Sequence, residues 1–210
     1  MRVVLSLCDR TGNMVRPWAE AGHQCVIVDL QHPPGESELE PNIVRLGMDV
    51  REYMGLYSTI LQPSIVFAFP PCTHLASSGA AWFERKGHAA LQEGLELVGA
   101  CREVCTSSGA PWMIENPVGR LTRHWRKYDH KFHPCDYGGY YDPPVDTYLK
   151  TTCLWVGGGF RMPARRRVEP TEREWVRSLN SDRANRANQR SVTPVGFARA
   201  VYQANSVHVT

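Results

Sequence analysis

Three neighbouring stretches decide the fold: VVLSLC at residues 3–8, DRTGNM at 9–14 and CVIVDL at 25–30. The first is apolar and rich in β-branched residues, with little alternation, so it reads as a strand buried on both faces. Gly12 stands in the turn that follows, where a residue without a Cβ lets the backbone bend sharply or approach a ligand. MVRPWAEAGH suits a short helix ended near Gly22. CVIVDL is a second buried strand, with Asp29 near its end. Strand, turn, helix and strand in this order open a doubly wound sheet. The expected fold class is α/β: an open, mostly parallel, Rossmann-like sheet with its site at the carboxyl ends of the strands.

Further along the chain the same grammar repeats. Residues 31–43, rich in proline, glycine and glutamate, read as a loop, and 43–47 as a short strand before Asp49. VREYMGLYSTI suits a helix stopped by Pro63. SIVFAF at 64–69 is another buried strand, closed by Pro70, Pro71 and Cys72. Residues 84–106 carry the longest helical pattern. WMIENP at 112–117 reads as a strand that Pro117 ends. The stretch 124–144 is aromatic and turn-rich, and TTCLWV at 151–156 is a strand ended by three glycines. Residues 161–190 hold nine arginines and four acids and read as a loop with a short helix near 171–179. TPVGFARAVYQAN at 193–205 is a closing helix with Pro194 near its start.

Composition bounds the function. The chain has 210 residues, 42% hydrophobic and 21% charged. That suits one domain able to build a core without disulfides. The net charge of +3 permits a polyanionic partner without demanding one. Seven scattered cysteines make a poor disulfide framework. With no signal-peptide pattern at the start and no long apolar run, the expectation is a reduced, soluble, cytoplasmic protein.

Several residues are candidates for chemistry. Asp29, at the end of the second strand, suits a ribose hydroxyl; Asp49, after the third, suits another polar part of the ligand. Both equally suit the capping of turns or helices. The full G-x-G-x-x-G signature is absent, which favours a nucleotide-like ligand other than NAD. Cys72 follows a buried strand behind two stiffening prolines, a position for a held nucleophile, although buried cysteines are commonly inert. Glu115 is an odd choice for pure core packing, since buried charge is costly. It suits either a turn or the edge of a planar heterocycle. His124, His130, His133 and Cys135 lack the spacing of a zinc finger, and no metal site is assigned.

These landmarks together resemble the cytosine-C5 DNA methyltransferase family, especially compact phage-type members, over about residues 5–156 and 189–205. LCDRTGN looks like that family's Phe-x-Gly-x-Gly-Gly loop, with Gly12 retained, Cys8 at the phenylalanine place, Arg10 at the first glycine and Asn13 at the last. Asp29 matches the acid that binds the cofactor ribose, and Asp49 resembles the acid beside the adenine. FPPC at 69–72 looks like the Pro-Cys nucleophile loop, and ENP at 115–117 resembles the Glu-Asn-Val segment. Cys72 and Glu115 stand 43 residues apart. Tyr148, Lys150 and Thr152 fall where the family has Gln, Arg and Arg. QRSVTPVGFARAVYQAN resembles the closing segment, without its usual Gly-Asn pair.

The resemblance implies a single catalytic domain over 1–210, with residues 157–190 as a short basic insertion in place of a full target-recognition domain. It implies S-adenosylmethionine as cofactor, held by Leu7, Cys8, Asp9, Gly12, Asn13, Asp29, Leu30, Asp49, Val50 and Pro70. Cys72 and Glu115 are then catalytic, and Pro71, Asn116, Lys150, Arg165 and Arg166 bind substrate. DNA is the implied partner, a separate recognition subunit is compatible, and the location is the host-cell cytoplasm if the chain is phage-encoded. Arg161, Arg167, Arg183, Arg186 and Arg190 join Arg165 and Arg166 as candidates for phosphate contact. Two alternatives stay open. The short insertion suits modification of a free cytosine nucleotide or other small pyrimidine. The altered glycine loop and missing arginines suit a non-catalytic nucleic-acid-binding relative.

Overall fold

The computed structural model describes residues 2–57, 61–171 and 188–206. The first strand, β1 (Arg2–Leu7), leads through the Asp9–Asn13 turn to helix α1 (Arg16–Glu20) and then β2 (Cys25–Val28). An edge strand β3 (Gly35–Glu40), β4 (Ile43–Gly47) and helix α2 (Val50–Tyr57) follow. Next come β5 (Gln62–Ala68), a 3-10 turn at Ser77–Trp82 and the long helix α3 (Phe83–Ser107). The second half adds β6 (Trp112–Pro117), α4 (Leu121–His124), β7 (His130–Phe132), β8 (Thr152–Gly157) and the closing helix α5 (Val195–Asn205).

The strands form one eight-stranded sheet in the order β3-β4-β2-β1-β5-β6-β8-β7. The run β4-β2-β1-β5-β6 is parallel throughout. β3 and β8 are antiparallel to their neighbours, and β7, antiparallel to β8, points the same way as the central strands. The chain winds outward from β1 to β4, then returns to pair β5 on the other side of β1. This reversal between β1 and β5 creates the crevice where open α/β sheets bind ligands. The expected open, mostly parallel α/β sheet is therefore the fold observed.

Burial explains why the central strands lack polar alternation. Val3, Leu5 and Leu7 of β1, with Val66 and Ala68 of β5, pack on the side of α2 and α3, against Tyr53, Val98, Cys101 and Cys105. Val4 of β1, with Ile65 and Phe67 of β5, packs on the opposite side against Trp18 of α1 and Phe197, Ala198 and Val201 of α5. Each strand thus alternates between two apolar cores. The buried face of α3 repeats through Leu91, Val98, Cys101 and Cys105, a helical period.

Two strands depart from expectation. Residues 35–40, read as loop, form β3, whose sequence GESELE carries no apolar stripe. The ladder to β4 holds it, aided by Arg45 Nε donating to Ser37 Oγ at 2.8 Å and by the Arg16–Glu40 ion pair at 2.8 Å. A charged, exposed strand suits a sheet edge, where it discourages pairing with other chains. β7 lies inside the run read as turns; it is three residues long and leaves no period to detect. Pro117 is the last residue of β6 and pairs with Thr152, a terminal position that proline tolerates. The helix expected near 171–179 lies almost wholly outside the described residues, as do Arg183 and Arg186. Among the described residues, no helix is long and apolar enough to cross a membrane.

Candidate active site

The carboxyl ends of β1, β2 and β4 converge on one side of the crevice. After β1, Cys8 and Gly12 adopt left-handed backbone (φ 53° and 70°), and the loop between them wraps around Asp9. The Asp9 carboxylate accepts from Ser6 Oγ at 2.8 Å, Gly12 N at 2.8 Å and Thr11 N at 3.0 Å. Asp9 therefore builds the loop, and its side chain is spent internally. Leu7 and Val50 are buried in the core, so what they offer a ligand is backbone. Asn13 donates to Thr193 O at 3.2 Å, tying this loop to the approach of α5.

Asp29 and Asp49 both lie close enough to Cys8 for their charges to act on its thiol. Their own states differ. Burial pushes the Asp29 carboxyl up, opposed by the Gln31 amide that donates to Oδ1 at 2.7 Å; among the described residues its other oxygen makes no hydrogen bond. Asp49 is held down by Arg51, whose guanidinium spans both its oxygens. Beside Asp29, Leu30 is 72% exposed, unusual for a leucine at a strand end. An acid with a free oxygen, an exposed apolar side chain and an open left-handed loop fit a ribose-bearing ligand with a flat ring.

Across the crevice, Cys72 sits in a turn after β5. Pro70 is buried, Pro71 is exposed, and Cys72 is the only exposed cysteine of the seven. The turn is anchored to β6. Asn116, 1% exposed, donates from Nδ2 to Pro70 O at 2.9 Å. Cys72 O accepts from Leu75 N and Ala76 N, both at 2.9 Å. Ser77 N then donates to Val118 O at 2.9 Å and Arg120 N to Leu75 O at 2.8 Å, with Ala76 bridged to Gly119. A Cβ on Gly119 would stand 2.0 Å from Leu75 O, so only glycine permits this approach.

Glu115 of β6 points to the α5 side of the sheet. It lines a narrow cleft with Phe69, Lys150, Thr152, Thr193 and the stacked rings of Phe132 and Phe197, whose centroids lie 4.2 Å apart. Burial pushes its carboxyl up, and Lys150 opposes that rise. Lys150 Nζ in turn donates to Arg190 O at 2.7 Å. Cys72 feels the same groups. Although the residue is exposed at the surface, surrounding atoms partly desolvate its thiol and raise it, Glu115 raises it further, and Lys150 and Arg190 pull it down. Cys72, Glu115, Lys150 and Arg190 thus form one electrostatic cluster, drawn from four separate parts of the chain. Such a cluster can hold a nucleophile beside a proton-carrying carboxyl.

Arg165 and Arg166 lie elsewhere, on a strap docked against residues 135–140. Gly139 N donates to Arg166 O and Val168 N to Cys135 O, both at 2.9 Å. Arg167 pairs with Asp136 at 2.8 Å, and Arg165 reaches Asp136 at 3.8 Å and Lys131 O at 2.9 Å. Arg166 turns the other way and covers the Tyr140 ring at 4.4 Å. Arg161 is exposed. Among the described residues, no His, Cys, Asp and Glu groups are arranged to hold a metal ion. Sequence reasoning missed Phe69, Phe132, Phe197 and Thr193 as lining residues. Phe69 directly precedes the Pro-Pro-Cys run and was findable there; Phe132 and Phe197 meet only through the sheet.

No family model matches this chain, and no curated protein is significantly similar to it. Among solved structures it is similar to an E. coli chain assigned as a DNA modification methyltransferase encoded within a prophage. The TM-score is 0.51 at 14% identity, covering 87% of this chain and 56% of the other. The chain thus spans little more than half of that protein's length. The likeness is one of fold, an open, mostly parallel, Rossmann-like sheet.

Proposed function

We propose that this chain is an S-adenosylmethionine-dependent methyltransferase that modifies C5 of cytosine in DNA through a covalent cysteine adduct. The observation that carries the reading is the cluster at the ends of the adjacent strands β5 and β6: an exposed residue, Cys72, electrostatically linked to Glu115, whose carboxyl pKa burial raises and Lys150 opposes. The DNA-modifying assignment of the structurally similar prophage protein supports the substrate class. Asp29 and Leu30 are the residues that would hold the cofactor's ribose and ring, with Cys8 to Asn13 beneath. Bound there, S-adenosylmethionine supplies the methyl group.

Cytosine C5 is a weak nucleophile, so the protein must add electron density to the ring. Cys72 Sγ attacks C6, forming a C–S bond and moving the C5=C6 π electrons toward C5, which then takes the methyl group. A protonated Glu115 donates to ring N3 and accepts from the exocyclic amine, stabilising the charge that develops. A base removes the C5 proton, C5=C6 reforms and Cys72 departs. Two features of the cluster serve these steps. Once Glu115 is neutral it no longer opposes the thiolate, and Lys150 and Arg190 still favour it. The aromatic side chains of Phe69, Phe132 and Phe197 line the cleft beside the Glu115 carboxyl. In duplex DNA the base must leave the stack to bring its edge to Glu115.

Labelled S-adenosylmethionine offered with duplex DNA, single-stranded DNA, RNA and free cytosine nucleotides tests the proposal. Label is expected in DNA and absent from Cys72→Ser. Label in free nucleotide alone would replace DNA as the substrate, and no transfer to any of them would refute the enzymatic reading.

A further inference from the structure

We infer that Arg190 is a positioning residue that latches the segment before α5 to the turn carrying Cys72 and, with Lys150, sets a cationic environment over that thiol. The inference rests on Cys72 being the reactive residue. Two contacts give Arg190 this place. Its guanidinium donates from Nη2 to Ser78 Oγ at 3.4 Å, reaching the 3-10 turn six residues past Cys72. Its carbonyl accepts from Lys150 Nζ at 2.7 Å, holding a residue that lines the Glu115 cleft. One residue thus joins three segments that are distant in sequence. The next residues, Ser191 to Pro194, line that cleft and lead directly into α5.

Among the described residues, the charged groups acting on the thiol are few. Glu115 comes from β6, Lys150 from the approach to β8 and Arg190 from the approach to α5. His74, on the turn itself, stands 3.9 Å from Glu93 of α3, and Arg120 lies over the Phe83 ring at 4.0 Å. Among the described residues, the cations acting on Cys72 are therefore the two that Arg190 brings together. In this account Arg190 does not touch substrate; it acts by holding Lys150 and by its own charge.

The test uses iodoacetamide, which alkylates thiolate and needs neither methyl donor nor DNA. The pH dependence of Cys72 alkylation is followed by peptide mass on the full chain; the other cysteines are buried or partly so. Arg190→Met is expected to move the midpoint upward by about one pH unit, slowing alkylation at neutral pH several-fold, because losing a nearby cation disfavours the thiolate. Lys150→Met should shift it in the same direction and Ser78→Ala by less, so the test survives if Arg190→Met does not fold. Arg190→Lys should restore the wild-type midpoint. A folded Arg190→Met with an unchanged midpoint overturns the inference, as does failure of Arg190→Lys to restore it. Should the variants shift as expected while wild type transfers no methyl group, the proposed reaction fails and the latch stands.

Discussion

Glu115→Gln separates a functional carboxyl from a structural one. In the native chain Glu115 lies in a cleft walled by Phe69, Phe132 and Phe197, with Lys150 as its offsetting cation and no hydrogen-bond donor reaching it among the described residues. Burial raises its pKa above that of an unfolded glutamate, near 4.3. The sign follows. The native state binds the proton more tightly, so stability falls as pH rises from the unfolded value through the raised native one, and the loss is complete above both. Glutamine keeps the shape without the charge. A tenfold difference in proton affinity between native and unfolded states is worth about 1.4 kcal/mol, and Lys150 offsets part of the burial, so a gain on the order of 1 kcal/mol at pH 8 is expected, vanishing near pH 4. Urea denaturation of both proteins across this range measures it. A variant both more stable and less active marks a residue kept for chemistry. Glu115→Gln that is less stable than wild type at pH 8, or a stability difference independent of pH, refutes the reasoning.

Three further outcomes follow from the geometry. Asp29→Ala should weaken S-adenosylmethionine binding about tenfold or more, as loss of a hydrogen bond to a charged group does, with the thermal melt unchanged; equal affinity by calorimetry would remove Asp29 from the cofactor site. Gly119→Ala should destabilise the chain by about 1–3 kcal/mol, in the range of overpacking, because its Cβ meets the Leu75 carbonyl that frames the Cys72 turn. If Arg166 and its neighbours grip DNA, affinity should fall steeply between 50 and 200 mM salt, on the order of tenfold or more; binding without salt dependence would count against that grip.

What was legible in the sequence follows from burial. β1, β2 and β5 could be read because both their faces are covered and their residues are apolar on both. β3 could not, because an edge strand of glutamates is written in the same letters as a loop. The nearness of Cys72 and Glu115 was legible from two strand ends that a parallel sheet sets side by side. The direction of each arginine was not: Arg165 and Arg167 turn inward to Asp136 while Arg166 turns outward over Tyr140, an alternation set by the docked strap. Nor was the role of Asp9, whose carboxylate shapes its own loop. Residue spacing places backbone; only packing decides which way a side chain faces.

The central claim is tested most directly by a DNA strand carrying 5-fluorocytosine, incubated with S-adenosylmethionine. Fluorine at C5 cannot leave as a proton does, so the adduct that Cys72 forms should persist after transfer. Peptide mass mapping is expected to find the modified base on the peptide that contains Cys72, and to find none in Cys72→Ser. Mass on another cysteine, or normal methyl transfer by Cys72→Ser, would contradict the account.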